Sequence, residues 1–133
     1  MGCQTTGTLG ASSNTILDFT AFPMEIFNSN INVNFSSGIK SITITNNWGG
    51  PTQGFASGNS DMASLTIAAT GLNGFSGLFN GESGNIKLLP YGSWTFTDWV
   101  GVLPNATNKE ISIIDNDGSG VTYEVTVVGV SGA

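Results

Sequence analysis

The side chains that could act as general acids or bases are nine Asp and Glu residues, because the chain contains no histidine. Asp98 lies beside Trp99 and four residues after Trp94, and such a grouping of carboxylate and rings is typical of sugar-cleaving sites. Residue alternation favours another interpretation, in which Trp94 faces a core and Asp98 begins a turn. Without histidine, neither Ser–His nor Cys–His nucleophilic catalysis can be assembled. We therefore predict no enzymatic activity and no catalytic residues.

The run Asp115-Asn116-Asp117-Gly118 resembles part of a calcium-binding loop. The complete motif has an oxygen ligand where Ile113 stands, and Glu124 does not meet the spacing of its glutamate. Asp and Gly are also the residues that tight turns use. A zinc site is excluded by the single cysteine and the absence of histidine. We predict a turn, with a weak calcium site as the alternative, and no metal or other cofactor.

Three aromatic residues fall in or beside predicted loops. Trp48 lies in a Gly/Pro turn, Phe55 in a polar Gly/Ser segment and Trp99 at the end of a strand. Aromatic side chains in loops often anchor protein interfaces and sugar sites. We predict Trp48, Phe55 and Trp99 as candidate interface or ligand residues. The alternative is that each ring folds back over a sheet edge.

Charged residues make up 9% of the 133 residues, against about 25% in a typical domain. The net charge is −6, and three lysines without arginine cannot form the basic cluster that nucleic acid or an anionic membrane attracts. Amides and hydroxyls must keep this surface soluble unless partners cover it. The composition therefore predicts an extracellular or assembled protein that binds no nucleic acid and inserts into no membrane.

Residues 1–14 are rich in Gly, Ser and Thr and predict an N-terminal arm, followed by one domain over residues 15–133. Beyond Met1, Leu9 and Ala11 the arm has almost no apolar side chains, too few to order it by burial. We expect it to add main-chain hydrogen bonds to a neighbouring subunit or to lie along a sheet edge. Gly2 and Cys3 also match short lipidation patterns, which leaves lipidation as an alternative.

Apolar and polar residues alternate along most of the remaining chain, and turn residues separate the runs. This period of two predicts an all-β, antiparallel β-sandwich, jelly-roll-like, with about eight to nine short strands. Residues 111–114 and 121–128 are predicted to form a hairpin across Asp117-Gly118. The predicted core consists of Ile31, Val33, Phe35, Ile42, Ile44, Leu65, Ile67, Leu88, Trp94, Phe96, Ile111, Ile113, Tyr123, Val125 and Val127.

Three segments follow one another in a characteristic order: SITITNN at 41–47, LLPYGSWTF at 88–96 and VTYEVTVV at 121–128. This order resembles small jelly-roll or immunoglobulin-like virion proteins of bacteriophages, such as decoration proteins, penton components and fibre bases. The resemblance covers about residues 39–129 and carries no functional residue. It implies a structural protein on the virion exterior that contacts copies of itself and other particle proteins. The alternative is an extracellular or cell-surface lectin-like or adhesin-like module that binds a glycan or a protein.

Overall fold

A computed structural model describes residues 2–10, 12–26, 29–48, 63–69, 72–75, 85–97, 103–116 and 121–130. Ten strands lie within these ranges. They are β1 (Gly2–Leu9), β2 (Asn14–Asp18), β3 (Phe22–Ile26), β4 (Ser29–Val33), β5 (Ile39–Asn46), β6 (Leu65–Ala68), β7 (Asn85–Leu88), β8 (Ser93–Thr97), β9 (Glu110–Asp115) and β10 (Val121–Gly129).

Eight of these strands form two four-stranded antiparallel sheets that share one core. Sheet 1 has the order β1-β10-β5-β8, and sheet 2 has the order β2-β9-β6-β7. With the separate β3–β4 hairpin set aside, this is the strand order of a jelly roll. The predicted all-β, jelly-roll-like sandwich is confirmed. In the part of the chain that the structure describes, no helix is long and apolar enough to cross a membrane.

The core between the sheets is built from alternate residues of each strand, as the period of two predicts. Along β10, for example, Val121, Tyr123, Val125 and Val127 are buried. The predicted core residues are buried or pack against the core, with one exception. Ile31 is 46% exposed, so its placement in the core was wrong. It lies on β4, which pairs with β3 outside the two sheets, and the sandwich therefore does not cover it.

The predicted C-terminal hairpin does not form. β9 belongs to sheet 2, where it pairs with β2 and β6, whereas β10 belongs to sheet 1, where it pairs with β1 and β5. The chain between them passes from one sheet to the other, and residues 117–120 lie outside the described residues. An Asp-Gly pair marks a reversal of direction, but it does not specify whether the next strand pairs with the previous one or crosses the core.

The predicted N-terminal arm is also different in the structure. Gly2–Leu9 forms β1, which pairs antiparallel with β10 of the same chain over its whole length. Gly2 lies opposite Val128, and Leu9 lies opposite Val121. Cys3, Thr5 and Leu9 face the core, while Gln4, Thr6 and Thr8 are exposed. Small and polar residues on the inward face hid the alternation in the sequence. The strand is ordered chiefly by backbone pairing with β10, which compensates for its few apolar side chains.

Four phenylalanines that the sequence did not single out together form an aromatic cluster in the core. Phe19 stacks on Phe22 with ring centroids 6.0 Å apart, and its ring lies 5.7 Å from that of Phe75. Phe22 also meets Phe35 edge to face at 5.8 Å. Phe35 was a predicted core residue, whereas Phe19, Phe22 and Phe75 were not assigned to the core. Through Phe22 on β3, the cluster attaches the β3–β4 hairpin to the sandwich. This packing matters because an isolated two-stranded ribbon is only marginally stable.

Candidate interaction surface

The outward face of sheet 1 is an ordered array of hydroxyl groups. Because all four strands are in register, side chains of the same parity form rows across the sheet. One row consists of Gln4, Thr126, Thr43 and Thr95, and the next consists of Thr6, Glu124, Thr45 and Ser93. Glu124 is the single charged residue in these two rows. The sequence contains this pattern as Thr-x-Thr pairs, which the strand prediction used only as polar spacers.

Hydrogen bonds between hydroxyls connect neighbouring strands on this face. Thr43 Oγ1 lies 3.2 Å from Thr95 Oγ1, and Thr45 Oγ1 donates to Ser93 Oγ at 3.3 Å. On the same face, between β1 and β10, Thr8 Oγ1 lies 3.1 Å from Thr122 Oγ1. Such cross-strand pairs stabilise a sheet modestly. They also orient the hydroxyls, and with Glu124 as the one charge in these two rows, a neighbouring molecule can cover them with a small desolvation cost.

The edges of the two sheets differ in charge. In sheet 1, the edge strands β1 and β8 contain no charged residue and no proline. In sheet 2, the edge strand β7 carries the exposed Lys87, and the edge strand β2 ends at Asp18. Exposed charges on an edge oppose pairing with another chain. Within the described residues, the edge strands of sheet 1 therefore lack the charges that the edge strands of sheet 2 carry.

Asp18 has a well-defined electrostatic environment. Partial burial by itself raises the pKa of this carboxyl, but hydrogen bonds from Thr20 and the ammonium group of Lys109 outweigh that effect. Asp18 Oδ1 accepts from Thr20 N at 2.7 Å and from Thr20 Oγ1 at 2.6 Å, and Lys109 Nζ lies 3.5 Å from Asp18 Oδ2. The net result is a pKa below the ordinary value. Asp18 is therefore a turn-stabilising anion at neutral pH.

Trp48 is buried, with 7% of its surface exposed, so it is not available as an interface anchor. Its ring meets Tyr91 edge to face, with centroids 6.0 Å apart. Trp48 follows β5, a central strand of sheet 1, and belongs to the buried core. Phe55 and Trp99 lie outside the described residues. Among the described residues, Tyr91 is the exposed aromatic at this end of the sandwich, and the sequence reasoning did not select it.

A buried asparagine positions this end of the sandwich. Asn46 ends β5, and its backbone N–H donates to Gly92 O at 2.9 Å while its carbonyl accepts from Tyr91 N at 2.9 Å. Its side-chain Nδ2 donates to Ala63 O at 2.7 Å and to Leu88 O at 3.0 Å. Asn46 could have been found in the sequence, because it continues the inward parity of Ile42 and Ile44. A polar residue at an inward position needs partners.

The candidate metal and catalytic residues are not assembled into a site by the described part of the chain. Asp115 is fully buried at the end of β9. Asn116 Oδ1 accepts from Thr66 Oγ1 at 2.8 Å, and Asn116 Nδ2 donates to Ser64 Oγ at 2.9 Å. Within the described ranges no group of three or more acidic, His or Cys residues could hold a metal ion. Asp98, Asp117 and Gly118 lie outside those ranges.

Cys3 lies on the inward face of β1 and is 1% exposed. Burial raises the pKa of its thiol, which keeps it protonated and unreactive at neutral pH. A lipid attached to this sulfur would have to pass through the core, or β1 would have to leave β10. The geometry of the folded chain therefore disfavours lipidation of Cys3.

Comparisons with known proteins do not assign the chain to a family. No family model matches the sequence, and the comparison with curated proteins found no match. Among solved structures, a subunit from Bacillus endospore appendages, which form a novel family of disulfide-linked pili, superposes with a TM-score of 0.35 and 13% identity. The match covers 96% of this chain and 88% of that one. A TM-score this low carries no argument about the function of this chain.

Proposed function

We propose that this protein is a non-enzymatic structural subunit that self-associates on the exterior of a virion, as a decoration, capsid or fibre-base component. The observation that carries the proposal is the chemistry of sheet 1. Its outward rows are hydroxyl-rich, and both of its edge strands, β1 and β8, are uncharged. Uncharged edges favour pairing with another chain, which a protein that must stay monomeric opposes with charges.

The overall charge supports a place on the outside of a particle. A net charge of −6 repels packaged nucleic acid, and the one charge in the two central rows of sheet 1 is the carboxylate of Glu124. Contacts across such a surface depend on shape, hydroxyls and backbone groups. They are therefore insensitive to salt, in contrast to the contacts of a nucleic-acid-binding protein. The virion setting itself rests on the resemblance of the strand and turn segments to phage proteins.

The proposal is tested by measuring the mass of the purified protein by sedimentation and light scattering over a wide concentration range, with electron microscopy of concentrated samples. We expect a mass above that of the 13.7 kDa chain that rises with concentration and persists at high salt. A monomer at every concentration would contradict self-association. Immunogold labelling of intact particles from the source then tests the virion exterior, because antibody against an interior protein labels only opened particles.

One observation favours the second candidate, a glycan-binding module. Tyr91 is 65% exposed at the end of the sandwich, and the buried ring of Trp48 supports it. An immobilised exposed ring can stack on the apolar face of a sugar. A glycan array with the intact protein tests this candidate, with Tyr91→Ala as the variant and Leu72→Ala, at another exposed position, as its control. Binding that only the tyrosine variant loses would favour the module.

A further inference from the structure

We infer that two copies of this chain pair through β8, antiparallel and about a two-fold axis at Thr95, so that two copies of sheet 1 join into one eight-stranded sheet. This inference rests on the proposed self-association and specifies the surface that makes it. The partner is a second copy of the same chain. The contact consists of backbone hydrogen bonds along residues 93–97 and of the side chains that flank them.

β8 has the features of a strand that accepts another strand. Within the described residues it pairs on one side only, with β5, through the register Ser41↔Thr97 to Thr45↔Ser93. It contains no charge and no proline that would oppose a second neighbour. The opposite edge of the same sheet is less suitable, because the β3–β4 hairpin lies next to β1 without pairing with it.

The sequence of β8 is symmetric in its chemistry. Hydroxyl side chains stand at Ser93, Thr95 and Thr97, and aromatic rings stand at Trp94 and Phe96. A two-fold contact must be self-complementary, since the same patch lies on both sides. With Thr95 on the axis, hydroxyl residues lie opposite hydroxyl residues, and Trp94 lies opposite Phe96 of the second copy. No charge is brought against a like charge.

The aromatic residues supply a reason for the contact to be stable. Trp94 is only partly buried, although it packs against the core, and its ring lies 6.3 Å from that of Phe96. Pairing about Thr95 places a second aromatic pair beside the first and covers the remaining surface of Trp94. Aromatic cross-strand pairs are among the more stabilising pairs in antiparallel sheets. The hydroxyl row that ends at Thr95 then continues into the second copy.

Cross-linking of single-cysteine variants tests this register. Thr95→Cys places two thiols opposite each other on the axis, whereas Ser93→Cys faces position 97 of the second copy. With a short thiol-reactive cross-linker, we expect covalent dimers from Thr95→Cys alone and from a mixture of Ser93→Cys with Thr97→Cys. Ser93→Cys alone and Thr97→Cys alone should give little product. The unmodified chain is the blank, because its one cysteine, Cys3, is buried.

A pair of lysine variants provides the second measurement. Thr95→Lys sets two ammonium groups face to face on the axis and should weaken self-association at least about tenfold, since opposed like charges are strongly unfavourable in an interface. Thr6→Lys is the matched control, on the same face but at the β1 edge and opposite Glu124. It should leave association unchanged. Melting temperatures establish that both variants are folded.

The outcomes separate the two proposals. Two results would overturn pairing through β8: self-association of Thr95→Lys as strong as that of the native chain, or equal cross-linking yields from all the cysteine variants. The proposal of a structural subunit would still stand. A protein that stays monomeric in light scattering would overturn both. Register-specific cross-links together with a selective loss in Thr95→Lys would support the β8 contact.

Discussion

The side-chain amide of Asn46 donates a hydrogen bond to the carbonyl oxygen of Leu88, 3.0 Å away, and this bond joins the two sheets of the sandwich. Asn46 ends β5 in sheet 1, and Leu88 ends β7 in sheet 2. The same amide donates to Ala63 O, and Asn46 Oδ1 accepts from Trp48 N at 3.1 Å. A fully buried polar group is thereby satisfied and holds the turn that carries Tyr91.

Replacing Asn46 by aspartate should destabilise the fold by about 2–4 kcal/mol, because a buried carboxylate cannot donate to the carbonyls of Ala63 and Leu88. The shape of the side chain is nearly unchanged, so the loss reports on hydrogen bonding and charge. Urea unfolding followed by tryptophan fluorescence measures it. The adjacent Asn47→Asp is the control, because Asn47 is exposed and should change stability by about 0.5 kcal/mol or less. Equal effects at the two positions would contradict this role of Asn46.

Gly7 is required by the ring of Tyr123. A Cβ atom at position 7 would lie 2.6 Å from Tyr123 Cζ, in the strand pair that joins β1 to β10. Gly7→Ala should therefore cost about 1–3 kcal/mol, as overpacking does in a filled core. Gly10→Ala is the control, since the nearest atom to its new Cβ is Ser13 Oγ at 3.8 Å.

A double-mutant cycle identifies Tyr123 as the cause. In a Tyr123→Val background the ring is absent, and the cost of Gly7→Ala in thermal or urea unfolding should fall by more than half. A cost that is unchanged in that background would show that Gly7 is needed for another reason.

The thiol of Cys3 should be protected in the native protein. Its burial on the inward face of β1 and its raised pKa predict slow reaction with a thiol reagent at pH 7–8 and complete reaction in denaturant. The rate of labelling, measured with and without guanidinium, also reports on how often β1 leaves β10. Rapid labelling of a fully folded sample would mean that β1 is not held at this edge.

Acid should remove the stabilisation that Asp18 provides. The folded pKa of this carboxyl is lowered, so its contribution is present above the unfolded pKa of about 3.9 and is lost as the pH falls through the folded value. Asp18→Asn should lower stability by about 1 kcal/mol at pH 7. The difference between the native protein and the variant should shrink toward pH 3.

The measurement is the unfolding free energy of both proteins between pH 7 and pH 3. Glu124→Gln is the control for the general effect of removing one carboxylate, because it makes the corresponding acid-to-amide change at a position among the hydroxyl rows of sheet 1. A gap between native protein and Asp18→Asn that widens in acid would contradict the lowered pKa.

The amino-acid sequence by itself determined the fold class and most of the core. The alternation of apolar and polar residues along 121–127 and 111–113 predicts which side chains face inward. Successive residues of a strand point to opposite faces, whichever strands lie next to it. The same parity extends to Asn46, where a polar residue falls at an inward position. The lack of histidine is likewise a property of composition that no fold can change.

Only the tertiary structure decided which strands pair. β9 and β10 follow each other and look like a hairpin, yet they lie in opposite sheets, where each pairs with strands that are distant in the sequence. β1 looked like an arm because small and polar residues fill its inward positions, and its order comes from backbone pairing with β10. Trp48 lies in the core and meets Tyr91, which is far away in the sequence. Alternation is local, whereas pairing and burial depend on long-range contacts that a local pattern does not encode.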